Sequence, residues 1–228
     1  MTFIPLETEI FSYQHLLDSD ENLKLIKSFS VKEESGKGLE NYLKNVSEID
    51  ERNDLARTYL VKDKRTKELA AYFSLRSGLF TIEISEDYFY TIPSIELSNF
   101  AVNDNYRINH PEILEIGKTV FLHFILPYVD FMKSIVGVKA LYIYALPEDR
   151  LIEHYKKFGF QRLSKDEEKF VHSHVKPKYD KGCIFMYQLV WLWKIFDNNF
   201  LRLSAKIKSY QVVFFCFGKL IVEKRMML

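Results

Sequence analysis

Only two cysteines occur in the 228 residues, Cys183 and Cys216, far apart and each inside an apolar run. That is neither the count nor the spacing of a disulfide framework or a zinc site, and it suits a reducing cytosol. A charge of one sign is also missing: 32 Lys and Arg stand against 31 Asp and Glu, a formal net charge of +1. No global field gathers nucleic acid or acidic substrates, so such a partner would need a local patch. Long apolar runs are absent too. The longest uncharged stretches toward the C-terminus, residues 182–193 and 209–218, fall short of the roughly 20 apolar residues that span a bilayer, and no transmembrane helix is expected. The first ten residues carry Glu7 and Glu9 without a basic segment leading into an apolar block, so no signal peptide is expected. No nucleophile elbow or Ser/His/Asp order is present, which argues against a hydrolase. His172 and His174, in VHSHV, share a face if that stretch is a strand. They lack a Cys, Asp or Glu cluster to complete a metal site, so no metal is expected and both read as exposed loop residues. His123 and His154 read as structural residues of amphipathic helices.

What is present is enough apolar residue, 47%, for one sizeable domain with an appendage. Leu23, Ile26 and Phe29 recur at helical spacing after Asp18 and Ser19, and a Gly-rich break at 35–38 separates them from a second helical stretch, 39–49. Residues 56–61 and 69–78 flank the charged turn KDKRTKE and read as a β-hairpin. Pro93 precedes the strand IELSNFAV (95–102); residues 103–114 read as irregular. A helix follows from 116, with Pro127 expected to kink it. Residues 140–146 read as a buried strand, and 147–158 as a helix with Pro147 in its first turn, closed by Gly159. Residues 160–163 and 183–190 complete the strands. This order predicts a mixed sheet with helices on both faces.

Two stretches carry chemistry. At the start of the helix from 116, unpaired amides carry about half a positive charge of helix dipole, and a glycine lets an anion approach closely. Ile116, Gly117, Lys118 and Thr119 are the candidate phosphate cradle, with an ordinary helix start after a loop as the other reading. In the later helix, Tyr155 precedes Gly159 and Phe160 in YKKFGF. A tyrosine hydroxyl can return a proton to a leaving thiolate, because the two pKa values lie within about two units; an ordinary core tyrosine is the other reading.

Taken together, FAV (100–102), IGK (116–118), LYIYAL (141–146) and YKKFGF (155–160) resemble, in that order, the GNAT (Gcn5-related N-acetyltransferase) family across roughly residues 3–190. The resemblance implies a GNAT fold: α/β, a mixed and mostly antiparallel central sheet with splayed strands, and helices on both faces. It implies acetyl-coenzyme A (acetyl-CoA) as co-substrate, held by Phe100, Ala101 and Val102 along the strand and by Ile116, Gly117, Lys118 and Thr119 at the pyrophosphate. It gives Tyr155 the role of general acid. Glu96, five residues before Ala101, resembles the glutamate that some members use as general base, with a peripheral salt bridge as the competing reading. Simple alternation would put Glu96, Ser98 and Phe100 on one face. The sequence departs from the family pattern where INHPEILE intervenes and Glu115 stands in place of the first glycine, beside the proposed pyrophosphate.

Residues 191–228 differ from the rest, with seven basic and two acidic residues among many aromatics. The tail thus carries +5 and residues 1–190 carry −4. The expected division is a GNAT domain at 1–190 and a basic aromatic extension at 191–228, which either covers the body, lies on a membrane or forms a homodimer arm. The resemblance implies a cytoplasmic enzyme acetylating an unidentified primary amine by direct transfer in a ternary complex. A non-catalytic binding module stays open because of Glu115. So does a toxin-like enzyme acting on aminoacyl-tRNA, since the order resembles the bacterial branch that includes tRNA-acetylating toxins.

Overall fold

The structure, a computed structural model, describes residues 7–85, 88–174 and 182–190. The readings made of the tail 191–228, of Cys216 and of the His174 side chain lie outside the described residues. In chain order the elements are β1 (Phe11–His15), α1 (Asp20–Leu25), α2 (Lys37–Asn41), α3 (Ser47–Arg52), β2 (Arg57–Asp63), β3 (Leu69–Ser85), β4 (Tyr88–Val102), α4 (Asp104–Asn109), α5 (Ile116–Val120), α6 (Leu126–Ile135), β5 (Ala140–Ala145), α7 (Asp149–Lys157), β6 (Gln161–Arg162), α8 (Lys165–His174) and β7 (Ile184–Leu189).

Among the described residues the sheet has seven strands in the order β1-β2-β3-β4-β5-β7-β6. Every neighbouring pair is antiparallel except β4 and β5. Paired residues share a face, so the register sorts the core. On the front face Leu60 and Tyr72 pack with Leu16, Ile26, Phe29 and Leu43 beneath α1–α3. Further along, Phe80, Tyr142 and Phe185 pack with Val171 of α8. On the back face Tyr13, Tyr59 and Phe73 meet Phe124 and Tyr128. Glu51, buried at the end of α3, accepts from His15 Nε2 at 2.9 Å, from Arg57 Nη1 at 3.2 Å and from the Thr58 amide, which ties α3 to β1 and β2.

Several expectations need correction. Phe11–His15 is an edge strand that the sequence reading left out. The stretch 103–114, read as irregular, contains α4, whose N-cap Asn103 side chain accepts from Asn105 N–H. The hairpin extends far past residue 78, and Pro93 lies inside β4 opposite Leu79. That position tolerates proline because its polar groups face away from β3: the Pro93 carbonyl accepts Lys139 N–H at 2.8 Å. The first four residues of VHSHV, 171–174, are the end of a helix, α8, and not a strand or an exposed loop. Ser164 and Glu167 cap α8 reciprocally, with Glu167 N–H on Ser164 Oγ at 3.3 Å and Ser164 N–H on Glu167 Oε2 at 2.9 Å. Residues 116–135 are helical throughout, with a widened turn at Phe121–Ile125 in which Leu126 N–H reaches Phe121 O. Such a turn immediately before Pro127 absorbs the clash and the missing donor that proline brings.

The bulge in β4 matters most for function. Asn99 pairs with Ser74 but Leu97 pairs with Leu75, which leaves Ser98 as an extra residue. One inserted residue reverses the alternation that follows it. Glu96 therefore faces front and Phe100 faces back, contrary to the simple alternation.

Candidate active site

The parallel seam between β4 and β5 is only three pairs long, Ser94 with Ala140, Ile95 with Leu141 and Glu96 with Tyr142. Beyond it β4 continues to Val102 alongside β3, while β5 continues to Ala145 alongside β7. The two strands therefore fork. Asn103 N–H donates to Ala70 O at 2.8 Å, and this sets the antiparallel alternation on β4. Asn99 and Ala101 turn their main-chain groups toward β3, whereas Phe100 and Val102 turn theirs into the fork. Of the three strand residues singled out from sequence, Ala101 is thus the exception: its backbone is committed to β3 and its side chain packs in the front core.

The helix start lies against the back of this strand. A Cβ placed on Gly117 would sit 3.6 Å from Val102 Cγ2 and 3.9 Å from Phe100 Cζ. The amides of Ile116, Gly117 and Lys118 are the unpaired donors of a first turn. Thr119 N–H is already bonded to Glu115 O at 2.9 Å, so of Thr119 only the hydroxyl is available to a ligand. Glu115 adopts the left-handed backbone, φ 52°, that glycine would favour. Its carboxylate pairs with Lys118 Nζ at 2.9 Å, so the lip carries a neutralised pair in place of an isolated negative charge.

From Gly117 one helical turn leads to Phe121, which stacks on Phe158 with centroids 4.6 Å apart and also meets Phe160 at 5.7 Å. Phe160 in turn packs edge-on against Tyr155 at 5.5 Å. This chain of rings joins α7 to the face of α5 that holds Gly117. Gly159, with φ 88°, makes the reversal that sends Phe160 back into it. The Tyr155 side chain is buried, and burial pushes its hydroxyl well above the ordinary phenol range. A phenol in that state stays protonated at neutral pH and so remains a proton donor. Burial first, then Lys157, lowers the His154 imidazole.

Glu96 lies at the last pair of the seam, 2% exposed. Arg76 Nε donates to its Oε2 at 2.8 Å and Arg76 Nη2 to its Oε1 at 2.9 Å. Tyr142 hydroxyl donates to Oε2 at 2.9 Å. Both carboxylate oxygens are therefore engaged, as those of a structural anchor are. Arg76 and Tyr142 went unrecognised in the sequence, because nothing local marks residues 20 and 46 positions away as partners. Among the described residues no group of three or more His, Cys, Asp or Glu could hold a metal ion, and no helix is long and apolar enough to cross a membrane.

No protein-family model matches the chain, and no curated protein does. Solved structures do match. A tyrosine-to-phenylalanine mutant of the AtaT toxin, bound to acetyl-CoA and the C-terminus of the antitoxin AtaR, superposes with a TM-score of 0.59 at 16% identity, covering 84% of this chain and 100% of that one. A tyrosine-to-phenylalanine mutant of KacT gives 0.59 at 16%, covering 82% and 99%. AtaT complexed with acetyl-methionyl-tRNAfMet gives 0.56 at 16%, again covering 82% and 99%. At such identities the likeness speaks for architecture. With its single parallel seam, its fork and its flanking helices, the chain has the GNAT fold.

Proposed function

We propose that the chain is an N-acetyltransferase, moving an acetyl group from acetyl-CoA to a primary amine by direct transfer within a ternary complex. The observation that carries this reading is the fork, where the main-chain groups of Phe100 and Val102 face an opening beside the helix start at Gly117. A pantetheine arm is a chain of amides that can complete such a strand edge, and its pyrophosphate suits the amides of Ile116, Gly117 and Lys118. Bound there, acetyl-CoA supplies an activated thioester carbonyl. The protein's part is to polarise that carbonyl with strand amides, to orient the amine, and to protonate the departing thiolate from Tyr155. Glu96 supports the fork through Arg76 and Tyr142, and in this reading the proton of the amine leaves to water.

An acceptor of the aminoacyl-tRNA type is the second reading, supported by the likeness to AtaT solved with acetyl-methionyl-tRNAfMet. The formal −4 of residues 1–190 would then require a local basic patch or the +5 of residues 191–228. We assign residues 1–190 to the acyltransferase, residues 191–228 to an accessory basic extension that can serve a homodimer, and the chain to the cytoplasm.

The test is calorimetric titration with acetyl-CoA of the wild type and of Gly117→Trp, whose indole would fill the space against Phe100 and Val102. Binding by the wild type and its loss in a folded variant are expected. A folded wild type that does not bind would overturn the proposal in favour of a non-catalytic module.

A further inference from the structure

Two polar atoms on the front face are buried without a hydrogen-bond partner among the described residues, the Tyr144 hydroxyl and His172 Nε2. Their rings meet edge to face, 5.7 Å between centroids and 80° between planes. His172 Nε2 lies 3.9 Å from Glu168 Oε1, beyond hydrogen-bond reach. That carboxylate is already engaged, by Phe185 N–H at 3.2 Å and by Arg162 Nη2 at 2.8 Å. Native structures rarely leave such atoms unmatched unless a ligand or a water completes them.

Their place in the fold is informative. Tyr144 is the first front-facing residue of β5 beyond the seam, at the point where the fork opens. On β4 the corresponding position, after the bulge, is Asn99. Behind Tyr144 stand the rings of Tyr142 and Phe185, at 6.0 and 5.5 Å. Burial first, then the charge of Glu96, raises the Tyr144 hydroxyl well above the ordinary phenol range, so it remains a donor. Above it, α8 is an insertion between β6 and β7 that carries His172 over the front of the fork. An occupant must offer an acceptor to the phenol and a donor to the imidazole nitrogen. An amine and a carbonyl on neighbouring atoms supply both, and the aromatic walls favour the arriving ammonium form of that amine.

We infer that Tyr144 and His172 form an acceptor-recognition pair for an α-aminoacyl group, Tyr144 donating to its carbonyl and His172 Nε2 accepting from its amine. The inference rests on the acetyltransferase reading, and it makes these two residues determinants of acceptor affinity, with the coenzyme site separate from them.

Steady-state transfer from acetyl-CoA to L-leucinamide is compared with transfer to 3-methylbutylamine, which has the same side chain and no carbonyl. The variants are Tyr144→Phe and His172→Gln, with melting temperature and acetyl-CoA affinity measured alongside. Tyr144→Phe keeps the ring that packs on His172 and Phe185. It is expected to raise the KM for leucinamide about tenfold, with the KM for 3-methylbutylamine and the affinity for acetyl-CoA unchanged. His172→Gln is expected to raise the KM for both amines. Equal use of the two amines by the wild type, or an unchanged KM in Tyr144→Phe, means the pair holds only a bridging water and overturns the inference while leaving the acetyltransferase reading intact. Binding of acetyl-CoA without transfer to leucinamide also overturns it. Loss of acetyl-CoA binding in the wild type removes the acetyltransferase reading itself, and the inference with it.

Discussion

Arg76 grips Glu96 through two parallel hydrogen bonds, 2.8 and 2.9 Å long, at the point where β4 and β5 part. Removing one partner of a buried ion pair leaves the other uncompensated, at a cost of about 3–5 kcal/mol. Glu96→Ala is therefore expected to lower stability by about that amount in urea denaturation. Exchanging both residues for apolar ones, Arg76→Met with Glu96→Leu, should recover most of the loss. If Glu96→Ala left the urea midpoint unchanged while abolishing transfer, Glu96 would be a base and not an anchor.

Gly78 is the glycine that Tyr142 requires. A Cβ at that position would come within 2.8 Å of Tyr142 Cε1 and 2.9 Å of its Cζ, and the hydroxyl cannot retreat without leaving Glu96. Gly78→Ala is expected to cost about 1–3 kcal/mol, read as a lower melting temperature.

Gly117→Ala gives the opposite contrast. Its Cβ would make ordinary contacts with Val102 and Phe100, so alanine is expected to keep both the fold and the acetyl-CoA-induced thermal shift. Loss of the shift with alanine would mean that the ligand comes closer to the backbone there than the proposed cradle requires.

Tyr155→Phe removes a hydroxyl and keeps the ring packed on Phe160. Transfer by the variant is expected to fall on the order of a hundredfold or more, with acetyl-CoA affinity unchanged by calorimetry. A variant as fast as the wild type would give the thiolate proton to another donor.

His110 gives the segment before the cradle a pH dependence. Its Nε2 lies 2.6 Å from Glu68 Oε2, its Nδ1 lies 3.6 Å from Glu112 Oε1, and its ring packs on Tyr106, whose hydroxyl is bonded to Asp63. The bond to Glu68, against the opposing effect of burial, raises His110 above its usual 6.5, and the same bond is the first cause holding Glu68 below its usual 4.5. The raised histidine contributes fully below about pH 6.5, and that contribution fades as pH climbs through its folded value. The lowered carboxylate contributes fully above about pH 4.5, fading as pH drops through its own. The advantage in melting temperature of the wild type over His110→Asn should therefore be greatest between those limits and shrink on either side. An advantage that grows above pH 8 would contradict the assignment.

Much of this architecture could be read from periodicity. The hairpin around residues 62–68, the strand at 140–145 and the helix closed by Gly159 lie where apolar spacing and punctuation put them. The bulge at Ser98 could not be read, because one inserted residue in a continuous apolar strand leaves no local mark, yet it decides which side Phe100 faces. The helix α8 was legible in Ser164 and Glu167, a capping box that precedes a modest apolar period. The two histidines of VHSHV read as exposed loop residues instead. Glu96 has a sequence signal, but its partners Arg76 and Tyr142 come from other strands, and only register brings the three together.

The sheet is held across its middle by three residue pairs. On one side lies an antiparallel run from β1 to β4 with mostly local connections, and on the other the set β5, β7 and β6. Local pairings form quickly and long crossovers slowly, so the two sides are expected to form as separate cooperative units that meet late in folding. The same short seam that opens a site between the strands is where the molecule would first come apart, and amide exchange at Ser94–Glu96 should be faster than exchange in the strands on either side.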